Sequence, residues 1–185
     1  LDVPEAMKQK RRLSMASPHP AANLAEGHVL LSDGDRPRIV EIDHQRQICW
    51  QVTKDVLHQE DMIVLQLPVD VIRLANGNTL VVDRDANRVA EVTPRGRAFW
   101  EVPQNDDFPE TRLYQPVRAT RLEGGNTLVV DRGHHRILEV DRNFAVKWAY
   151  GEREVPGIED GHLWHPTDIQ RLANGNSLIT DSGNN

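Results

Sequence analysis

Arg73-Leu-Ala-Asn-Gly-Asn-Thr-Leu80 returns almost unchanged as Arg121-Leu-Glu-Gly-Gly-Asn-Thr-Leu128 and Arg171-Leu-Ala-Asn-Gly-Asn-Ser-Leu178, with a weaker copy at Asn23-Leu-Ala-Glu-Gly-His-Val-Leu30. The glycines Gly27, Gly77, Gly125 and Gly175 step by 50, 48 and 50 residues, and Asp33, Asp83, Asp131 and Asp181 step identically. Trp50, Trp100 and Trp148 step by 50 and 48. Three markers in one register establish an internal repeat, and its length of 48–50 residues decides the fold before any single residue is interpreted.

Each repeat divides into four short strands. In the second, Val69 to Leu74 alternates and forms the innermost strand. Asn76-Gly77 then predicts a type I′ hairpin, which needs positive φ at both central positions. Thr79 to Val82 is a β-branched apolar run, expected to be buried on both faces. Asp83-Arg-Asp-Ala-Asn87 is a turn, Val89 to Val92 the third strand, Pro94-Arg-Gly96 a second turn, and Ala98 to Val102 the fourth strand. The third repeat follows the same plan, with strands at Thr127 to Val130, Ile137 to Val140 and Ala145 to Trp148. Four antiparallel strands in a repeat of this length are a β-propeller blade, so the chain is all-β, with about three and a half blades. The blades fall at about 21–66, 67–114 and 115–164, with a partial fourth at 165–185.

Residues that recur in every blade are assigned to building the blade. The tryptophans are expected between neighbouring blades, where a large aromatic area is buried. Asp83 and its equivalents are expected to tie the turn to nearby backbone N–H groups, and Cys49, beside Trp50, to be a buried small hydrophobe.

Residues 1–20 lie outside the repeat. Glu5 to Met15 predicts a short helix carrying Lys8, Lys10, Arg11 and Arg12, broken by Ser17-Pro-His-Pro20. The chain begins at Leu1 rather than Met, as a processed or trimmed chain would. The fourth blade stops after its second strand, leaving an open edge that invites association. Either the sequence is part of a longer chain, or a protein partner or second copy completes the propeller; a second copy would make a symmetric dimer.

The composition narrows the function classes. A formal net charge of −6 argues against sequence-independent nucleic-acid binding, which needs a positive patch. No apolar run is long enough to span a bilayer as a helix. One cysteine excludes an intrachain disulfide and leaves the compartment open between the cytoplasm and an extracytoplasmic or periplasmic space. No Walker motif, Gly-x-Ser-x-Gly or Cys-x-x-Cys occurs, and no cofactor is implied.

The pattern Pro-x-Asp-Ile/Val-x-Arg-Leu-x-Asn-Gly-Asn-Thr/Ser-Leu-x-x-Asp resembles the repeats of NHL-type and PQQ-like propellers, and looks closest to those of the arylsulfotransferase-like group. The resemblance covers roughly residues 21–185. It implies a propeller; for the arylsulfotransferase-like group it implies a histidine nucleophile among His, Asn and Arg groups near the central channel. No motif here places that nucleophile. The vicinal cysteines of quinone-binding propeller dehydrogenases are absent.

Positions where the repeats disagree are the candidates for chemistry. In propellers, ligands sit near the channel mouth, on the loops entering the innermost strands, which here precede Pro68, Pro116 and Pro166. Asp160-Gly-His-Leu-Trp-His-Pro-Thr-Asp168 concentrates two histidines, an aromatic and two carboxylates. His165 and Asp168 are the candidates for general base, nucleophile or ligand contact, with His162 and Trp164 beside them. The blander reading makes His165 a backbone-bonded loop residue and Trp164 packing. Asp70, Arg118 and Asp168 share one blade position, so their charges alternate as ligand contacts or as inter-blade ion pairs. His134-His135 is a weak metal candidate, because adjacent turn histidines diverge; both are expected as surface turn residues.

Two functions follow. The first is a binding or scaffold module recognising a protein or small ligand at the channel mouth or blade edge. The second is an arylsulfotransferase-like enzyme carrying out sulfuryl transfer between phenolic compounds.

Overall fold

The computed structural model describes residues 22–53, 62–102 and 105–184. The helix expected over Glu5 to Met15 lies outside them. The described residues fold into propeller blades: three four-stranded antiparallel sheets and a two-stranded one, each in sequential strand order. The first contains β1 (Ala22–Asn23), β2 (Val29–Asp33), β3 (Arg38–Ile42) and β4 (Ile48–Thr53). The second contains β5 (Pro68–Arg73), β6 (Thr79–Asp83), β7 (Arg88–Val92) and β8 (Ala98–Glu101). The third contains β9 (Arg118–Arg121), β10 (Thr127–Asp131), β11 (Arg136–Val140) and β12 (Val146–Tyr150); the fourth contains β13 (Pro166–Arg171) and β14 (Ser177–Asp181). Observed and expected strands agree to within a residue or two, and β6 and β10 are buried along their whole length.

The described residues pack as two compact units, one of residues 22–86 and 90–101, the other of 87–89 and 102–184. In the first, Trp50 joins Leu30, Val52, Val71, Val81, Ala90 and Val92 in one apolar cluster between the first two blades. Its indole N–H donates to the Pro94 carbonyl at 2.7 Å. The Arg73 guanidinium lies 4.6 Å from the ring centroid and donates to Glu41 at 2.6 Å, while His28 meets the other Glu41 oxygen at 2.8 Å. The second unit repeats this joint. Arg171 lies 4.7 Å over Trp148 and donates to Glu139 at 2.8 Å, and Asn126 donates to the other oxygen at 2.8 Å. One residue set thus anchors inner strand to outer strand by aromatic burial, a cation–π contact and a shared carboxylate.

Two expectations change. The Asn-Gly hairpin is not type I′. Gly77 has φ 84°, but Asn76 is not left-handed, and Gly77 N–H donates to Leu74 O while Leu74 N–H donates to Asn78 O. This is a three-residue loop with glycine alone in the left-handed position. Two adjacent left-handed residues occur instead in the weak first copy, at Glu26 (φ 60°) and Gly27 (φ 75°). Cys49 is half-buried rather than buried. Trp50 and Val52 enter one apolar cluster and Ile48 another with Val40 and Ile42, and Cys49 is the extra residue at the register shift between them, so it joins neither.

Candidate functional site

The recurring aspartates do more than close a turn. Asp83, wholly buried, accepts the Leu67 N–H at 2.7 Å and the Gln66 N–H at 3.1 Å. Asp131 accepts the Tyr114 N–H at 2.7 Å, and Asp181 the Trp164 N–H at 2.8 Å. Each therefore fixes the loop entering its own blade's innermost strand. In the third and fourth blades that loop carries an aromatic residue over a glycine. A Cβ on Gly133 would come within 2.4 Å of the Tyr114 ring, and one on Gly183 within 2.2 Å of the Trp164 carbonyl oxygen. The Gly133 N–H donates to Tyr114 O at 2.8 Å, and the Gly183 N–H to Trp164 O at 2.7 Å. Tyr114 and Trp164 sit on these seats with nearly half their surface exposed, at 47% and 46%.

The backbone around them is strained. Gln115 (φ 49°), His135 (φ 59°), Glu154 (φ 65°) and His165 (φ 52°) are all left-handed non-glycine residues. Each costs on the order of 1–2 kcal/mol, and such strain persists only where surrounding contacts impose it. Those contacts are present. Gln115 N–H donates to Asn87 Oδ1 at 2.8 Å, His165 N–H to His135 Nδ1 at 3.2 Å, and Glu154 N–H to His134 O at 3.1 Å. Ser182 Oγ donates to the His165 carbonyl at 2.7 Å.

The rings form a series along the loops. Tyr114 and His134 have centroids 5.7 Å apart, His135 and His165 4.7 Å, and His165 and Trp164 6.3 Å. His134 is not the surface residue expected from its turn. It is 7% exposed, because its Nδ1–H donates to the buried Asp131 carboxylate at 2.9 Å and its ring packs against Tyr114. His135 points the other way, to His165. The His165 ring nitrogens have no hydrogen-bond partner among the described residues. Burial, first, and then the charges of His165, His134 and Arg132 hold His135 below the ordinary histidine range, against Asp131, which raises it. No group of three or more His, Cys, Asp or Glu side chains converges for a metal among the described residues.

Arg118, at the start of β9, and Asp168, near the start of β13, lie at the same ends of their inner strands and pair at 3.2 Å. Asp70 is buried in β5. His162 is paired elsewhere: its Nε2 lies 3.3 Å from Glu152, and its ring lies under Gly157. It lines a cleft of about 510 Å³ with Trp148, Tyr150, Ile179 and Asn184. The counterparts of Trp148 and Ile179 are Trp50 and Val81, which pack against Ala90 and Val92, so this cleft occupies a core position of the repeat rather than a ligand position.

Of the candidates, the structure places His165 beside Trp164 and His135 and pairs Arg118 with Asp168, while Tyr114 and Glu154 were not singled out in the sequence and His134 was expected at the surface. Tyr114 was legible as the repeat partner of Trp164, since Asp-Arg-Gly133 and Asp-Ser-Gly183 both put glycine where the second blade has Asp85. Glu154 lies in a stretch with no counterpart in the motif and carried no signal.

No protein-family model and no curated protein matches the chain. Solved structures do. A streptogramin B lyase structure aligns with TM-score 0.66 at 15% identity, over 95% of this chain and 52% of that one. Virginiamycin B lyase from Staphylococcus aureus aligns with TM-score 0.62 at 16% identity, over 94% and 52%. A protein of unknown function from Bacteroides caccae aligns with TM-score 0.60 at 16% identity, over 89% and 56%. The chain is therefore similar to β-propeller proteins and spans about half the length of these structures. At such identities the likeness is one of fold.

Proposed function

We propose that the chain is a ligand-binding propeller module whose third and fourth blades hold a planar, polar small molecule at the loops entering their inner strands. One observation carries this reading: Trp164, half-exposed and seated on Gly183, continues through His165 to His135 as a run of rings on left-handed backbone. Exposed aromatic faces favour stacking on a flat ligand, and imidazoles favour hydrogen bonding to its polar edge. Arg118 and Asp168 supply a charged pair on the inner strands below. Strain held in place by several hydrogen bonds is what a preorganised contact surface requires.

Titrating the protein with phenols and aryl sulfates, followed by tryptophan fluorescence, tests this. Saturable quenching is expected, lost in Trp164→Ala and weakened about tenfold or more in His165→Ala. Unchanged affinity in both variants would remove the site.

A second reading, as an arylsulfotransferase-like enzyme, is favoured by the ring nitrogens of His165, which have no hydrogen-bond partner among the described residues. Such an imidazole is free to attack sulfur, forming an N–S bond as the aryl oxygen leaves, and then to pass the sulfuryl group to a phenol. Turnover of an aryl sulfate with a phenol acceptor, abolished in His165→Ala, separates this reading from binding alone.

A further inference from the structure

The left-handed residue at the β6–β7 turn and its counterpart at the β10–β11 turn do one job with different chemistry. Asn87 accepts the backbone N–H of Gln115, and His135 accepts that of His165, the residue at the same place in the next repeat. Asn87 and His135 share φ values of 53° and 59°, and Gln115 and His165 share 49° and 52°. The contact is a latch that ties one blade's outer turn to the next blade's entry loop. An amide oxygen accepts at any pH. An imidazole nitrogen accepts only while it lacks a proton.

We infer that His135 is a proton-sensitive latch: with Nδ1 bare and the proton on Nε2 it accepts the His165 N–H, and protonation of Nδ1 from solvent breaks that bond and loosens the loop at His165, leaving it to its tethers at Asp181, Ser182 and Gly183. The groups around the ring are His165 from the loop before β13, His134 and Arg132 from its own turn, and Asp131 from the end of β10. Asp131 is already committed to the Tyr114 N–H, His134 and Arg136, and Arg136 also donates to the Arg112 carbonyl. A proton on Nδ1 would turn the acceptor into a second donor facing the His165 N–H. Burial and the neighbouring positive groups already hold the folded affinity for that proton below the ordinary value of 6.5. The folded chain thus binds the proton less readily than the unfolded chain. The latch contributes fully above about pH 6.5 and is lost as pH falls through the lowered folded value.

The latch stands on this geometry alone; only its effect on a ligand rests on the function proposed above. The test is nuclear magnetic resonance on the full chain and on His135→Asn, which installs the titration-free acceptor found at position 87. His165 amide protection, corrected for intrinsic exchange, is expected to fall about fivefold in the wild type between about pH 7.5 and about pH 5, and to stay flat in the variant. Equal responses in the two proteins overturn the inference. So does a protonated Nδ1 on His135 at about pH 7.5, read from ring-nitrogen shifts of the wild type without any substitution. Quenching by the aryl ligands, each protein compared with its own value at about pH 7.5 because His135→Asn also removes a ring of the proposed contact surface, is expected to weaken with falling pH in the wild type and not in the variant. A pH-dependent latch with no quenching at any pH would sink the ligand reading and leave the latch intact.

Discussion

Asp131 ties the third blade's entry loop to its outer turn, and replacing it by alanine should release that tie. Its carboxylate is wholly buried and receives the Tyr114 N–H at 2.7 Å, His134 Nδ1–H at 2.9 Å and Arg136 Nε–H at 2.8 Å. Arg136 is itself only 4% exposed. Alanine would leave a buried guanidinium held by a single carbonyl, that of Arg112, and would strand a backbone donor in the entry loop. Removing one member of a buried ion pair costs about 3–5 kcal/mol, a large share of a typical domain's stability. The loss should be recoverable. In Asp131→Ala combined with Arg136→Met the buried guanidinium is gone, and the residual cost falls to about 1–3 kcal/mol, set by the donors left without Asp131, the Tyr114 N–H and the His134 Nδ1–H. Urea denaturation followed by circular dichroism measures both variants, with an unchanged slope confirming that the transition is comparable. A single-variant loss below about 1 kcal/mol, or a double variant no more stable than the single, would show that this carboxylate does not anchor the entry loop.

Two further outcomes follow from the turns. Arg46, Gly96 and Phe144 occupy one repeat position with φ of 61°, 81° and 68°. Gly96→Ala should therefore cost about 1 kcal/mol and Arg46→Gly gain about 0.5 kcal/mol in urea denaturation; equal and opposite signs to these would show that the turns are not strained. Asp43 and Asp141 are held below the ordinary aspartate value of 3.8, chiefly by the N–H groups of Gln47 and Ala145 respectively. Their stabilisation is present above that value and lost as pH falls through the lower folded ones, so Asp141→Ala should flatten the acid side of the stability profile between about pH 5 and about pH 2.

The repeat carried most of the fold in plain view. Blade architecture needs only a local four-strand pattern and the burial of its tryptophans, and both follow from spacing and alternation along the chain. The motif also marked Trp164 and His165, because they break the repeat. Turn geometry was less legible: Asn-Gly is compatible with two hairpin types, and the strand register chooses between them. The burial of His134 and the joining of His135 to His165 were beyond the sequence altogether. They depend on where a carboxylate and a ring from different strands meet, and that is set by the packing of one blade on the next.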